Sequence, residues 1–160
     1  MRIFDCFMYF DEEMILDLRL NILNKYVDYF VIVESTFTHR GEKRELKFNQ
    51  NKFERFKDKI IYLIYDQVPE NIKNISEKDT EKQKSSKLIM NAIFRENSQR
   101  NFISKGLKIA ESEDIILISD VDEIPNLDNL NFTQINQKIF LFEQDMFYYK
   151  FNLKLPNLSW

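Results

Sequence analysis

Apolar runs of strand length alternate along the chain with longer stretches whose apolar residues recur at helical spacing. The strand-like runs are Ile3–Tyr9, Tyr29–Val33, Ile60–Tyr65 and Ile115–Ile118. Helical spacing predicts helices over Glu13–Lys25, Asn51–Asp58 and Ser86–Ala110, the last with a break near Asn97 or Gly106. This alternation predicts the α/β class, with a mostly parallel sheet flanked by helices.

Two segments depart from the alternation. Residues 67–86 are polar, rich in lysine and glutamate, and interrupted by Pro69, which predicts a mobile surface excursion. Towards the end of the chain, the aromatic-rich runs Lys138–Phe142 and Met146–Asn152 predict two further strands. With 160 residues and 44% apolar content, we expect a single domain over residues 1–160.

Composition narrows the function. Lys and Arg number 23 against 26 Asp and Glu, so the net charge of −3 gives no basic footprint for nucleic acid. Cys6 is the single cysteine, and no secretion signal follows Met1, so a reducing, cytoplasmic setting is expected. No run reaches the ~18 apolar residues of a transmembrane segment, which leaves peripheral association with a membrane open.

The strongest chemical signal is the acidic triplet Asp120-Val121-Asp122, directly after the apolar run Ile115–Ile118. In an extended segment the two aspartates point the same way, while Val121 turns back toward the core. In a parallel sheet, ligands bind beyond the carboxyl ends of the strands, where this triplet is predicted to lie.

Two converging carboxylates favour a divalent cation, and oxygen ligands without a Cys or His cluster favour Mg²⁺ or Mn²⁺ over zinc. A cation held by so few protein ligands completes its shell with water and substrate phosphates, so a diphosphate is the predicted partner. The alternative is that both aspartates are solvated turn residues after a buried strand, because Asp-x-Asp alone is a weak motif.

The stretch Ile116–Pro125 resembles the signature of glycosyltransferase family 17, the group of the β-1,4-mannosyl-glycoprotein β-1,4-N-acetylglucosaminyltransferases. Further blocks resemble the family in order: Asp5-Cys6-Phe7, Leu18-Arg19-Leu20, Val27–Ser35, and Arg95-Glu96 with Gln99-Arg100. The resemblance implies a GT-A-type, Rossmann-like fold, a UDP-sugar donor, Mn²⁺ or Mg²⁺, and inversion at the anomeric carbon. It also implies N-acetylglucosamine as the sugar. Because family members usually continue beyond the position of Trp160, the chain is expected to be truncated at its C-terminus and to lack much of the acceptor site.

By analogy with GT-A enzymes, Asp122 is the predicted direct metal ligand, and Asp120 contributes to the metal or to a ribose or water-mediated contact. Arg100 is predicted to bind the donor diphosphate, with a solvated helix-face arginine as the alternative. Glu34 and Ser35, at the carboxyl end of the second strand, are predicted to hydrogen-bond the uracil or ribose.

Other residues carry weaker predictions. Glu143 and Asp145 are the candidates for the catalytic base that deprotonates the acceptor hydroxyl. Arg19 lies in an apolar helical block, where an ion pair that holds the first helix to the sheet is favoured over substrate contact. The single histidine, His39, is interpreted as an exposed loop residue rather than an acid-base group, and Glu123 as equally suited to a structural pair or to the site.

Two other functions stay open. An apolar strand that ends in Asp-x-Asp also describes haloacid-dehalogenase-like phosphatases, although the motif lies late in this chain and Glu123-Ile124 replaces their usual continuation. A non-catalytic nucleotide-binding module is the second alternative. For a transferase in the cytoplasm, a lipid-linked glycan precursor or a cell-surface polysaccharide is the expected acceptor.

Overall fold

The structure, a computed structural model, describes residues 1–135, 137–147 and 153–159. It contains four parallel strands, β1 (Ile3–Tyr9), β2 (Tyr29–Ser35), β3 (Ile60–Tyr65) and β4 (Ile115–Ile118). Their order in the sheet is β3-β2-β1-β4, and every neighbouring pair is parallel. The predicted α/β class with a mostly parallel sheet flanked by helices is therefore confirmed.

Helices connect the strands. Helix α1 (Glu13–Leu23) joins β1 to β2, and a 3₁₀ helix (Gln50–Phe56) lies between β2 and β3. Helix α2 (Glu81–Phe102) and the 3₁₀ helix that continues it (Ile103–Gly106) precede β4. The predicted break near Gly106 corresponds to this change of helix type.

The central strands are buried on both faces, as parallel strands between helices must be. Phe4 and Cys6 of β1 pack on the α2 side with Val31, Val33 and Ile103. Because successive side chains alternate, Asp5 and Phe7 face the opposite side, which α1 covers. Burial raises the pKa of the Cys6 thiol well above its ordinary value.

Helix α2 begins earlier than predicted. Thr80 caps the helix by accepting a hydrogen bond from the Gln83 backbone N–H, and the Gln83 side chain accepts one from the Thr80 N–H. This capping box places residues 81–85 in the helix, so the predicted start at Ser86 was wrong. Residues 67–79 are irregular, and Asn91 of α2 holds both the N–H and the carbonyl of Lys73.

The chain divides into two compact units, Met1–Asp122 and Glu123–Trp160, where one domain was expected. The second unit contains a 3₁₀ helix (Phe132–Gln134) and an antiparallel pair formed by β5 (Asp145–Phe147) and β6 (Lys154–Ser159).

The predicted strand Lys138–Phe142 is wrong, since residues 138–142 form no ladder with another described strand. Ile139 and Leu141 are 82% and 92% exposed, so alternation alone did not indicate burial here. Of the predicted strand Met146–Asn152, Met146 and Phe147 lie in β5, and residues 148–152 lie outside the described residues. Strand β6, which contains Pro156, was not predicted.

Within the described part of the chain, no helix combines the length and apolar character that a membrane crossing requires.

Gly106 is where the chain before β4 lies against the sheet. A Cβ atom added at Gly106 would lie 2.5 Å from Val31 Cγ1 and 3.2 Å from Leu63 Cδ1. We expect Gly106→Ala to lower the free energy of unfolding by about 1–3 kcal/mol, because the packed sheet has to shift to accept the methyl group. Urea denaturation measures the change, with the exposed neighbour variant Lys105→Ala as control; equal stability of both variants would contradict the packing.

Candidate functional site

The acidic triplet lies at the carboxyl edge of the sheet, where the strand order reverses. The chain builds β2 and β3 on one side of β1 and then places β4 on the other side. The Ser119 N–H donates to the Cys6 carbonyl at 3.3 Å, which extends the pairing with β1 one residue beyond β4. The triplet follows at once, at the switch point where open α/β sheets bind their ligands.

A buried arginine lies beneath this edge. Arg19 of α1 and Asp5 of β1 are both fully buried. The Arg19 guanidinium donates from Nε to Asp5 Oδ2 at 2.8 Å and from Nη2 to Asp5 Oδ1 at 2.7 Å, a bidentate ion pair. The predicted ion pair between the first helix and the sheet is confirmed.

The same guanidinium also holds the backbone of the triplet. Arg19 Nη1 donates to the Asp120 carbonyl at 2.7 Å and to the Val121 carbonyl at 3.1 Å. Arg19 Nη2 donates to Ser119 Oγ at 2.7 Å. Val121 is buried, as predicted, while the side chains of Asp120 and Asp122 reach solvent.

Arg100 of α2 lies directly at the triplet. Its Nη2 donates to Asp120 Oδ1 at 2.8 Å and lies 3.2 Å from Glu96 Oε1, one helical turn away. About a third of the Arg100 side chain and half of the Asp120 side chain remain accessible. Helix α2 therefore places the Arg100 guanidinium at the predicted site, where it contacts the Asp120 carboxylate.

Asp122 is the more accessible aspartate of the triplet. It is exposed, and within residues 1–122 its carboxylate makes no hydrogen bond or ion pair. Among the described residues, no three His, Cys, Asp or Glu side chains are grouped closely enough to hold a metal ion by themselves. A donor set of one or two solvent-facing carboxylates fits Mg²⁺ or Mn²⁺ bound together with water and phosphate, and it does not fit an all-protein cage.

Glu34, at the end of β2, is held entirely within the protein. Its buried carboxylate accepts hydrogen bonds from the Lys47 N–H at 2.6 Å, the Phe48 N–H at 3.0 Å and the Tyr62 hydroxyl at 2.8 Å. Arg44 Nη2 lies 3.0 Å from Glu34 Oε1. Burial and the bond to Glu34 raise the pKa of Tyr62, which keeps its hydroxyl a donor.

Ser35 and Phe10 are joined by the same arginine. Ser35 is buried, its Oγ accepts from the Phe37 N–H at 3.0 Å, and its carbonyl accepts from Arg44 Nη1 at 2.8 Å. Arg44 Nη2 also donates to the Phe10 carbonyl, and its guanidinium lies 4.1 Å from the centroid of the exposed Phe10 ring. The loops that follow β1 and β2 are therefore tied together.

The sequence model of glycosyltransferase family 17 matches residues 1–160 of this chain. The chain belongs to glycosyltransferase family 17. The resemblance to this family, which was recognised from Ile116–Pro125 and the N-terminal blocks, is confirmed. Family membership replaces the phosphatase alternative, which depended on the Asp-x-Asp pattern alone.

Curated relatives are similar to this family 17 chain over most of its length. It is 30% identical over 128 residues to beta-1,4-mannosyl-glycoprotein 4-beta-N-acetylglucosaminyltransferase from Homo sapiens, and the enzymes of Rattus norvegicus and Mus musculus are 30% and 29% identical. The aligned region is 78% of this chain but 22% of each relative, so the chain spans about a fifth of their length. No solved structure matches it, and the GT-A type of the fold stays a prediction.

In this family 17 chain, the structure brings some predicted site residues together. Asp120, Asp122 and Arg100 lie at one sheet edge. For Glu34 and Ser35 the geometry favours a structural role over the predicted contact with uracil or ribose, because their oxygens are buried and bonded within the protein.

Most of the remaining predicted residues belong to the second unit. Asp145 of β5 is 2.6 Å from Lys154 Nζ of β6, and Glu143 is exposed; both belong to the second unit, and their role as catalytic base stays a prediction. Glu123 begins that unit. His39 is exposed and its carbonyl accepts from Arg95, which agrees with the loop interpretation.

Asp5 and Arg44 are the site-supporting residues that the sequence interpretation missed. A signal for Asp5 was present, because a lone carboxylate within the apolar run Ile3–Tyr9 needs a cationic partner, and Arg19 was the lone cation in an apolar helix. For Arg44 the sequence held no signal, since it lies in a segment rich in exposed charges.

The structural role of Glu34 can be tested directly. We expect Glu34→Gln to lower the free energy of unfolding by about 3–5 kcal/mol, because it leaves Arg44 without its buried carboxylate. Urea denaturation measures the loss, and Glu45→Gln, at an exposed neighbour, is the matched control with little effect. A Glu34→Gln protein that kept wild-type stability but bound UDP more weakly would instead support the predicted nucleotide contact.

Proposed function

We propose that this chain is the donor-binding part of a family 17 N-acetylglucosaminyltransferase. It binds a UDP-sugar through a divalent cation at Asp120 and Asp122 and serves the transfer of the sugar to a glycan acceptor. The observation that carries the proposal is the placement of these two solvent-facing carboxylates and Arg100 together, at the switch point between β1 and β4.

Asp122 is the proposed direct ligand of the cation. Its carboxylate is exposed, whereas one oxygen of Asp120 already accepts from Arg100. Mn²⁺ or Mg²⁺, when bound, supplies a Lewis acid that neutralises charge on the leaving nucleoside diphosphate. The oxygen ligands of the triplet suit these hard cations.

Arg100 is the proposed diphosphate ligand. In the structure it neutralises Asp120, so the two aspartates do not face each other as two uncompensated charges. A guanidinium has five N–H donors, so one that bonds Asp120 and approaches Glu96 keeps donors for phosphate oxygens. Its partial exposure leaves it reachable by a ligand at this edge.

The proposed sugar and acceptor are taken from the names of the relatives. Their names give a β-1,4-mannosyl glycoprotein as the acceptor and N-acetylglucosamine as the transferred group. For this chain we propose N-acetylglucosamine and a glycan acceptor, either protein-bound or lipid-linked. An inverting transfer needs a base for the acceptor hydroxyl, and Glu143 and Asp145 are the proposed candidates within the chain.

The metal-dependent binding of UDP tests this function. We expect the chain to bind UDP in the presence of Mn²⁺ and to lose more than ~100-fold in affinity in the Asp122→Ala variant, because the direct ligand is removed. Isothermal titration calorimetry measures both. Asp58→Ala is the matched control, since it removes an exposed aspartate just before β3, at the opposite edge of the sheet.

UDP binding that was equally tight without metal, or in Asp122→Ala, would contradict the proposed site. Hydrolysis of UDP-N-acetylglucosamine by the chain distinguishes an enzyme from a non-catalytic nucleotide-binding module. Metal-dependent binding without turnover would support a nucleotide-binding module.

A second variant separates the two contacts that Arg100 can make. We expect Arg100→Gln to weaken binding of UDP with Mn²⁺ by about 10–100-fold, because charge-assisted hydrogen bonds to phosphate are lost. The affinity for Mn²⁺ alone should not fall, since Asp120 is released from its ion pair. Titration calorimetry with Lys82→Gln, an exposed cation in the first turn of α2, as control checks both values; unchanged UDP affinity would limit Arg100 to pairing with Asp120.

A further inference from the structure

We infer that Arg19 is a positioning residue for the cation site, because it fixes the backbone path of residues 119–121 and thereby the placement of the Asp120 and Asp122 carboxylates. The link to a cation rests on the proposed function. The mechanical link, from a buried guanidinium to a surface loop, rests on the hydrogen bonds of Arg19 alone.

A buried ion pair is a costly way to hold a helix to a sheet. Arg19 and Asp5 are both fully buried, and the cost of removing two charges from water often exceeds their mutual attraction. Apolar side chains of similar volume often hold such a contact equally well or better. A second task that only a charged, multiply donating side chain can perform therefore accounts for the pair.

The hydrogen bonds identify that task. An arginine has five N–H donors. Two point at Asp5, and three point at the Asp120 carbonyl, the Val121 carbonyl and Ser119 Oγ. The acceptors of these three bonds belong to one stretch of three residues, so the carboxylate orients the guanidinium and the guanidinium holds the loop.

The consequence for the aspartates is geometric. Two successive carbonyls, those of Asp120 and Val121, are turned inward to Arg19. Val121 is then buried, and Asp120 and Asp122 on either side of it reach solvent. Without the two hydrogen bonds to these carbonyls, Arg19 would no longer favour this alternation over a solvated turn.

The opposing account is that Arg19 only fastens α1 to the sheet. The double variant Asp5→Leu with Arg19→Met distinguishes the two, because it replaces the pair by apolar side chains that keep the helix contact and removes every donor to the loop. Leu23→Ala is the matched control, since Leu23 is a fully buried residue of α1 and its loss weakens the helix contact without removing an Arg19 hydrogen bond.

Three measurements are made on each protein: the urea midpoint, amide hydrogen exchange of the segment 116–124 in metal-free buffer, and Mn²⁺ affinity by electron paramagnetic resonance. We expect the double variant to unfold at the same urea concentration as the wild type. Its amide hydrogens in segment 116–124 should exchange faster, and it should bind Mn²⁺ about 10–100-fold more weakly. Leu23→Ala should show a lower midpoint, an exchange rate in 116–124 raised no more than in the other strands, and unchanged Mn²⁺ affinity.

Arg19→Lys covers the case in which the double variant does not fold. Lysine keeps the charge opposite Asp5 but has a compact ammonium with three donors instead of the planar fork, so it cannot reproduce all five bonds. We expect faster exchange in segment 116–124 and weaker Mn²⁺ binding here too. A folded double variant, or Arg19→Lys, with wild-type exchange and wild-type Mn²⁺ affinity would overturn the inference.

The design separates this inference from the proposed function. The exchange measurement needs no metal, so it reports on the hold of Arg19 on the loop even if the wild-type chain binds no Mn²⁺. Absence of Mn²⁺ and UDP binding in the wild-type chain would reject the proposed function, whereas unchanged exchange in the Arg19 variants would reject the positioning role.

Discussion

A guanidinium can be buried only if its charge and its donors are all met inside the protein, and meeting them dictates where the surrounding chain must lie. Arg19 satisfies this constraint with Asp5 on one side and the loop after β4 on the other. Arg19 lies in α1, and these partners come from β1 and from residues about a hundred positions further along the chain. The acidic triplet is therefore part of the folded core through its backbone, although its carboxylates reach water.

The sheet was readable from the sequence because its strands appear as largely apolar runs of strand length. The bounds of β1, β3 and β4 agree with the prediction, although only the central strands β1 and β2 are buried on both faces. The strand predicted over Lys138–Phe142 failed because apolar alternation does not by itself create a pairing partner, and Ile139 and Leu141 are exposed. The start of α2 was misplaced because Thr80 and Gln83 form a capping box within a polar segment whose composition was given more weight than its caps.

For the candidate site, the sequence predicted the location better than the contacts. Asp120, Asp122 and Arg100 were all identified, since a motif at a strand end and an arginine in a family block are local signals. The pairing of Arg100 with Asp120, and the enclosure of Glu34 by residues 44–48 and Tyr62, depend on segments that meet only in the folded chain. A polar residue at a strand end can face a ligand or serve the interior, and only its partners decide between the two.

The tether formed by Arg44 has a bearing on how this sheet edge would receive any flat molecule. Arg44 bonds Ser35, the carbonyl of Phe10 and the carboxylate of Glu34 while its guanidinium lies against the Phe10 ring. The Phe10 ring therefore packs against a side chain that its own hydrogen bonds already order in the folded protein. A surface that is ordered beforehand loses little conformational entropy on contact. The supported Phe10 ring would therefore lose less conformational entropy on binding a flat molecule than an unsupported surface aromatic would.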